Sequence, residues 1–199
     1  MMIDNLEAID RAIVLTINSW NNPLLDEVMW LISGKLTWIP FYAFLLYLFF
    51  RQSGLKKSIV FLICAVAVVA ITDQVSVHLF KEMFLRYRPS HHALLTERLH
   101  FYEMENGELY KGGMYGFISS HASNFLAVCT FSFLALRRTY PKIIIALGIA
   151  AFLVIYSRLY LGVHYLSDVF AGAFVGILVA FLVFRFVFIP ILGKEFYKK

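Results

Sequence analysis

Four long runs of apolar residues, separated by short polar segments, limit what this chain can fold into. The runs cover residues 58–81, 119–136, 143–156 and 165–188. A helix that crosses the hydrocarbon of a bilayer needs about 20 mostly apolar residues. Hydrophobic residues make up 60% of the chain and charged residues only 16%, which is too apolar for an ordinary soluble domain. The runs therefore predict membrane-spanning helices.

A less regular fifth run covers residues 36–50, and Pro40 is expected to kink it. A sixth span could be assembled from residues 24–50 together with the preceding helix. Three charged side chains argue against placing all of that stretch in hydrocarbon, namely Asp26, Glu27 and Lys35. The sequence predicts an all-α integral membrane protein in which residues 1–199 form a single domain, a bundle of five to six transmembrane helices.

The opening residues, 1–23, are typical of an amphipathic helix that lies on the bilayer surface. Apolar residues recur at helical spacing, at Ile3, Leu6, Ile9, Ile13, Ile17 and Trp20. Polar residues such as Asp10 and Asn18 lie between them, and Pro23 follows the end of the pattern. No basic start leads into an uninterrupted apolar core, so a cleaved secretory signal is not expected.

Clusters of positive charge predict which ends of the spans face the cytoplasm. The clusters are Arg51, Lys56 and Lys57; Arg137, Arg138 and Lys142; and Lys194, Lys198 and Lys199. With five spans all three share one side, which the positive-inside rule makes cytoplasmic. The connections 82–118 and 158–164 then face the periplasm or the cell exterior, in a protein of the cell (inner) membrane. Because the net charge of +5 is spread among loops, it does not indicate nucleic-acid binding.

A first polar island, KEMFLRYRP, follows the run 58–81 on the outward side. Lys81 and Arg88 share one helical face, provided that the helix continues past Met83, and Pro89 ends it. An alternative is that these cations, with Arg86, merely reach toward lipid headgroups.

A second polar island, GFISSHASNF, precedes the run 119–136. Ser119 and Ser120 are expected to cap a helix whose free N–H groups point outward, and such a terminus binds anions. His121 lies on the first turn, although a lone histidine there could equally be a packing residue.

A third polar island, SRLYLGVHYLSD, lies between the last two runs. Gly162 is expected to break the chain, with Arg158 ending one helix and His164 starting the next. His164 and Asp168 are four residues apart, so on a helix the carboxylate can accept the proton of one ring nitrogen and leave the other with a free lone pair. Alternatives for this pair are a structural role or half of a metal site.

The three islands together favour phosphoryl transfer without a metal ion or other cofactor. Three cations and the first N–H groups of a helix could neutralise the charge of a phosphoryl group in flight: Lys81, Arg88, Arg158, Ser120 and His121. His164, oriented by Asp168, has a ring nitrogen with a free lone pair that can attack the phosphorus atom in line with the leaving oxygen. His121 is then the candidate acid for the leaving group and the base for the hydrolytic water.

The spacing of these residues resembles that of the type 2 phosphatidic acid phosphatase family, lipid phosphatases of the phosphatidylglycerophosphatase B and undecaprenyl diphosphate phosphatase kind. Lys81, Arg88 and Pro89 match K-x6-R-P, residues 119–121 match most of P-S-G-H, and residues 157–168 match S-R-x5-H-x3-D. The second motif departs from the family pattern, because Ile118 replaces its proline and Ser120 its glycine.

The resemblance implies an all-helical bundle and metal-independent dephosphorylation at the outer membrane face. It makes His164 the nucleophile, Asp168 its partner and His121 the acid. The phosphate binders that it implies are Lys81, Arg88, Ser119, Ser120 and Arg158.

A lipid phosphate is the expected substrate, because a site at headgroup depth can be entered sideways with the lipid tails still in the membrane. Undecaprenyl diphosphate or phosphatidylglycerol phosphate is favoured, and a lipid A phosphatase is the alternative. A different class, an anionic-lipid transporter or flippase, would show repeated halves and helices broken near mid-membrane, and neither is apparent. The connection between the first two islands, 90–117 within the outward loop 82–118, either lines the site or is a solvated outer loop.

Overall fold

A computed structural model describes residues 2–193 of the chain, with side chains from Leu6 onward. The C-terminal lysine cluster used to predict topology lies outside these residues. Over the described range the chain is all-helical, apart from two isolated β-bridges, which confirms the predicted class. We name the helices α1 Met2–Asn18, α2 Pro23–Ser33, α3 Ile39–Ser53, α4 Leu55–Phe84, α5 Ser120–Leu136, α6 Ile143–Tyr160 and α7 Leu166–Leu192.

Three of these helices, α4, α6 and α7, are long and apolar enough to cross a membrane by themselves. A fourth candidate span is the pair α2 and α3, which passes the same criterion together but bends by 72° at the break between its helices. Helix α5 has 17 residues, about 26 Å of helix, and is shorter than the hydrocarbon layer. It lies in the middle of the bundle, packed against α4, α6 and α7.

Close contact between α5 and α7 depends on two glycines spaced four apart on α7. A Cβ atom on Gly172 would lie 2.6 Å from the carbonyl oxygen of Ser119, and one on Gly176 would clash with the carbonyl oxygen of Ser123. Small residues at this spacing let helix backbones approach within a membrane. As a result the amide of Ser119 reaches the carbonyl oxygen of Asp168 at 3.0 Å, which joins the second polar island to the third.

The main apolar core lies between α3, α4, α5 and α7, beneath the polar islands. Its centre is aromatic: the rings of Phe49 and Phe61 stack with centroids 4.6 Å apart, and Phe131 packs edge-on against Phe188 at 5.1 Å. Helix α6 closes the bundle through buried Leu147 and neighbouring apolar residues. This packing supports the helix ends that carry the polar islands.

Helix α1 packs against the bundle through a face that carries polar residues. Asp10, Val14 and Asn18, one turn apart, are 6%, 0% and 2% exposed. The Asn18 amide donates to the carbonyl oxygens of His100 and Tyr160 at 2.8 and 2.7 Å, so its burial is satisfied. Part of the predicted apolar face remains outside, with Leu6 and Ile9 more than half exposed, whereas Ile17 is partly buried against the bundle.

The connection between α4 and α5 is folded onto the other elements. The imidazole of His100 contacts the Asp26 carboxylate at 2.9 Å, and the ring of Tyr102 stacks on Trp30 of α2 with centroids 4.6 Å apart. The amide of Arg88 donates to the carbonyl oxygen of Met114 at 3.0 Å, which brings the two ends of the connection together. Over the described residues the connection thus packs against the site end of the bundle and is not a free outer loop.

The predicted common helical face for Lys81 and Arg88 is wrong. Residues Val75–Lys81 form a π-helical segment, and the helix ends at Phe84 because Leu85 adopts a left-handed conformation with φ of 47°. Arg88 therefore arrives on extended backbone. Lys81 and Arg88 still line one cavity, but Arg88 lies in the loop that follows the helix and not on the helix itself.

Candidate active site

A cavity of about 910 Å³ opens between α3, α4 and α5 and ends at the polar islands. Five of the eight predicted site residues line it: Lys81, Arg88, Ser120, His121 and His164. The other three, Ser119, Arg158 and Asp168, are at most 1% exposed and lie in the wall. Residues from three separate islands thus converge at one end of one cavity.

His164 and Asp168 form a buried pair at the start of α7. The ring nitrogen Nδ1 of His164 lies 3.4 Å from Oδ2 of Asp168, and the same oxygen accepts the amide N–H of Tyr165 at 3.0 Å. Burial lowers the pKa of His164 well below its usual range, and the charges of Arg88 and Arg158 lower it further. The imidazole is therefore neutral at physiological pH, with its other ring nitrogen free of hydrogen bonds to the described part of the chain.

Arg86 holds the second oxygen of the Asp168 carboxylate, a role that the sequence did not reveal. Its Nη1 donates to Asp168 Oδ1 at 2.9 Å and to the Ser167 hydroxyl at 2.7 Å, and its Nη2 donates to Asp10 Oδ2 at 2.9 Å. The guanidinium also lies 4.3 Å above the ring centre of Tyr165. We interpreted Arg86 only as a cation that could reach lipid headgroups, because nothing in the spacing links it to Asp10.

Arg88 is held in the cavity wall by backbone carbonyls. Its Nε donates to the carbonyl oxygen of Tyr115 at 3.1 Å, and its Nη1 donates to that of Val163 at 3.4 Å. Burial and the charge of Arg158 lower the pKa of Arg88 to about 10, which still leaves it protonated at neutral pH. The side chain is therefore a fixed positive charge held by carbonyl groups, with no carboxylate partner among residues 6–193.

Arg158 ends α6 and is 1% exposed. It donates to the hydroxyl of Ser33 and, at 3.0 Å, to that of Tyr110, while its buried Nε has no hydrogen-bond partner within residues 6–193. Burial alone would raise the pKa of Tyr110, but the charges of Arg158, Arg88 and Lys35 outweigh it and the pKa is lowered. The site end of the cavity is thus strongly electropositive.

Lys81 and Ser120 contact each other across the helix interface. The Lys81 ammonium donates to the Ser120 hydroxyl at 2.6 Å, and the Ser76 hydroxyl lies 2.7 Å from the same oxygen. Ser119 caps α5, since its hydroxyl accepts the amide of Ala122 at 3.4 Å. His121 follows on the first turn and lines the cavity without a hydrogen bond to the described chain.

Two further charged residues line the same cavity. Lys35, at the break between α2 and α3, adds another positive charge, and it forms no ion pair with any described residue. Asp73 of α4 accepts the side-chain amide of Asn124 on α5 at 3.1 Å, as expected of a carboxylate that ties neighbouring helices together. Neither lies within a motif, so Lys35 could only be found from the three-dimensional arrangement.

The family model of the PAP2 superfamily matches residues 58–191, which include every motif residue named above. The chain belongs to the PAP2 superfamily. This membership confirms the resemblance inferred from the motifs. It makes the protein an integral membrane enzyme, a lipid phosphatase, and it favours the enzyme over the transporter alternative.

Similar proteins cover most of the chain. A lipid A 4'-phosphatase of Porphyromonas gingivalis is 38% identical over 179 residues, which cover 89% of this chain and 72% of that protein. A lipid A 4'-phosphatase of Bacteroides thetaiotaomicron is 32% identical over 175 residues, or 88% of this chain and 75% of that protein. The crystal structure of a PAP2-type phosphatidylglycerolphosphate phosphatase from Bacillus subtilis superposes with a TM-score of 0.67 at 25% identity, over 92% of this chain and 86% of that one.

Proposed function

We propose that the protein removes phosphate from a membrane lipid, without a metal ion, through a phosphohistidine formed on His164. One observation carries the proposal: the free face of a neutral, carboxylate-oriented imidazole lines the same cavity as Lys81, Arg88 and His121, and this cavity continues between apolar helices. A nucleophile, an acid and cations therefore share a compartment that a lipid tail can also occupy.

In the first step Nε2 of His164 attacks the phosphorus atom, a P–N bond forms, and the bond from phosphorus to the lipid oxygen breaks. His121 donates its proton to that oxygen, which leaves as the lipid alcohol. In the second step water attacks the phosphohistidine, His121 takes a proton from the water, and the P–N bond breaks to release inorganic phosphate. The two steps return both histidines to their starting states.

Charge in both transition states is spread over the three equatorial oxygens of the phosphoryl group. We assign its stabilisation to Lys81, Arg88 and Arg158, with the free N–H groups of Ser120 and His121 at the start of α5. The support is that Arg88 and Arg158 have no carboxylate partner in the described chain, and that Arg158 Nε is a buried donor without an acceptor.

The lipid tails are assigned to the apolar part of the cavity. Its walls come from the facing sides of α3 and α4, with Trp38, Tyr42, Leu46, Leu62 and Val66 among the lining side chains. The 72° bend between α2 and α3 separates a helix at the polar end from one that runs beside α4. A lipid can thus enter sideways while its phosphate reaches His164.

We assign five spans: the bent pair α2 and α3, then α4, α5, α6 and α7. In this arrangement the loops around Arg51 and Arg137 lie on one side of the membrane and the site on the other. The positive-inside rule then places the site on the periplasmic or extracellular face of the inner membrane. Helix α1, with Leu6 and Ile9 exposed, lies along that face at the bilayer surface.

We place a phosphate of lipid A first among the substrates, because two relatives of 38% and 32% identity are lipid A 4'-phosphatases. Phosphatidylglycerol phosphate comes next, supported by the structural neighbour that acts on it. Undecaprenyl diphosphate, which the sequence alone favours, is the third candidate, and it tests whether the site accepts a diphosphate as well as a phosphate monoester.

The test is phosphate release from these three lipids by the purified full-length chain, in chelator, comparing the native protein with His164→Ala and with His92→Ala as the control. We expect His164→Ala to lower kcat by about a thousandfold or more and His92→Ala to leave it unchanged. Acid-labile ³²P from a labelled lipid should be retained on the native protein and on His92→Ala, and not on His164→Ala. Full activity in His164→Ala, or activity that requires added divalent metal, overturns the mechanism.

A further inference from the structure

Helix α1 contributes a buried carboxylate to the site end of the molecule, although it lies outside the residues that the family model matches. Asp10 is 6% exposed. It accepts the amide of Ser167 at 3.0 Å and the hydroxyl of the same serine, and it accepts Arg86 Nη2 at 2.9 Å. A buried carboxylate with three donors is fixed in position.

The guanidinium of Arg86 is shared between two carboxylates. Nη1 binds Asp168 Oδ1 and Nη2 binds Asp10 Oδ2, each at 2.9 Å. An arginine beside one carboxylate prefers the bidentate arrangement, in which two N–H groups bind both oxygens. By engaging Nη2, Asp10 prevents that arrangement at Asp168.

The consequence falls on Asp168 Oδ2, the oxygen that faces His164 Nδ1 at 3.4 Å. If Arg86 were free to bind Asp168 with both nitrogens, it would compete for this oxygen and turn the carboxylate away from the imidazole. We propose that Asp10, acting through Arg86, is a positioning residue that keeps Asp168 Oδ2 available to His164. This inference rests on the proposed function, in which His164 is the nucleophile.

The test measures kcat and KM separately in purified full-length protein for Asp10→Asn, with Glu7→Gln as the matched control. Glu7 lies one turn away on the same helix, is itself exposed, and within residues 6–193 forms a single ion pair, with Arg11 at 2.7 Å. We expect Asp10→Asn to lower kcat by about tenfold to a hundredfold, as misplacement of a catalytic group does, with KM within about twofold. Glu7→Gln should behave as the native chain does.

A double-mutant comparison separates positioning from general loss of packing. In an Arg86→Gln background Asp10→Asn should have no further effect on kcat, because the residues act as one unit. Should Asp10→Asn fail to fold, Arg86→Lys gives the same information, since a lysine ammonium cannot hold two carboxylates in fixed orientation. We expect that variant to lose kcat and keep its KM.

A native kcat in Asp10→Asn, even with a lowered melting temperature, overturns the positioning role and leaves the proposed function intact. If Asp10→Asn lowers kcat by the same factor in the native and the Arg86→Gln backgrounds, the positioning role is likewise overturned and the proposed function stands. Absence of phosphate release from the native chain, or undiminished release by His164→Ala, overturns the proposed function and the positioning role with it.

Discussion

The ammonium of Lys81 donates to the hydroxyl of Ser120 at 2.6 Å. This contact exists only because the chain has a serine where the family motif has glycine, and the Ser76 hydroxyl supports the same oxygen at 2.7 Å. The departure from the motif therefore gives Lys81 a fixed position at the cavity wall. A flexible lysine held in place loses less entropy when it binds phosphate.

The first prediction is that Ser120→Gly, which restores the family residue, raises KM for the lipid phosphate. The loss of one hydrogen bond to a charged group corresponds to about tenfold. We expect kcat to fall by less than KM rises, because His121 and His164 do not depend on the Ser120 hydroxyl and only the contact of Lys81 with the transition state is disturbed. Michaelis–Menten kinetics of the variant check this, with Ser76→Ala as a milder companion. An unchanged or lowered KM would show that Ser120 does not position Lys81.

The motif residues of the site could be predicted from the sequence. Short-range spacing sufficed for His164 and Asp168, which are four residues apart across one helix start, and for the cap at Ser119. Because the motif residues define the chemistry, the sequence alone links all three islands to phosphoryl transfer. Only the structure shows which of the motif residues line the cavity.

The pairing of Asp10 with Arg86 joins residues 76 positions apart, and no periodicity in a single sequence links them. The same holds for the bend between α2 and α3, where hydropathy marks an apolar run but not its change of direction. Helix α1, Met2–Asn18, was predictable from the period of its apolar residues, but its buried face was not. Burial of Asp10 and Asn18 depends on partners that the tertiary fold supplies.

The second prediction concerns the contact between α5 and α7. Gly176→Ala adds a Cβ atom that clashes with the carbonyl oxygen of Ser123, so the helices must separate. We expect a loss of about 1–3 kcal/mol in the free energy of unfolding, as for other overpacked cores. Gly148→Ala is the control, because its Cβ would meet no atom within 4 Å. Thermal unfolding in detergent distinguishes them, and equal melting temperatures would contradict the close approach.

The third prediction is a pH dependence of stability that originates at His164. Its pKa is lowered well below 6.5 in the folded protein, mainly by burial, whereas the unfolded chain has the ordinary value. Above pH 6.5 both states are neutral and the group contributes no pH dependence. As the pH falls below 6.5, the unfolded state binds a proton that the folded state does not, so stability decreases by up to about 1.4 kcal/mol per pH unit.

The comparison for this effect is His164→Gln, which cannot titrate. Its free energy of unfolding should fall less steeply than that of the native chain below pH 6.5. His78→Gln is the control, since that side chain is 60% exposed on the outside of α4. Denaturation at several pH values gives the slopes, and parallel slopes for the native chain and His164→Gln would rule out a buried neutral imidazole.

The last prediction tests the assignment of the lipid tails. Ala70 of α4 lines the cavity and is exposed to it, so Ala70→Trp fills the passage between α3 and α4. We expect KM for a long-chain lipid phosphate to rise by about tenfold or more, since apolar contacts of the tail are lost. A short-chain, water-soluble phosphate with the same headgroup should be hydrolysed at the native rate.

Ile63→Trp is the matched control, because Ile63 lies on the same helix, is 61% exposed and is not part of the cavity lining. If Ala70→Trp slows hydrolysis of the long-chain and short-chain substrates equally, the substitution has disturbed the site around His164. The passage between α3 and α4 then does not bind the lipid tail. If it slows neither, the tails lie elsewhere on the bundle. Only a loss confined to the long-chain substrate supports sideways entry, because that outcome requires the tail and the phosphate to occupy one continuous cavity.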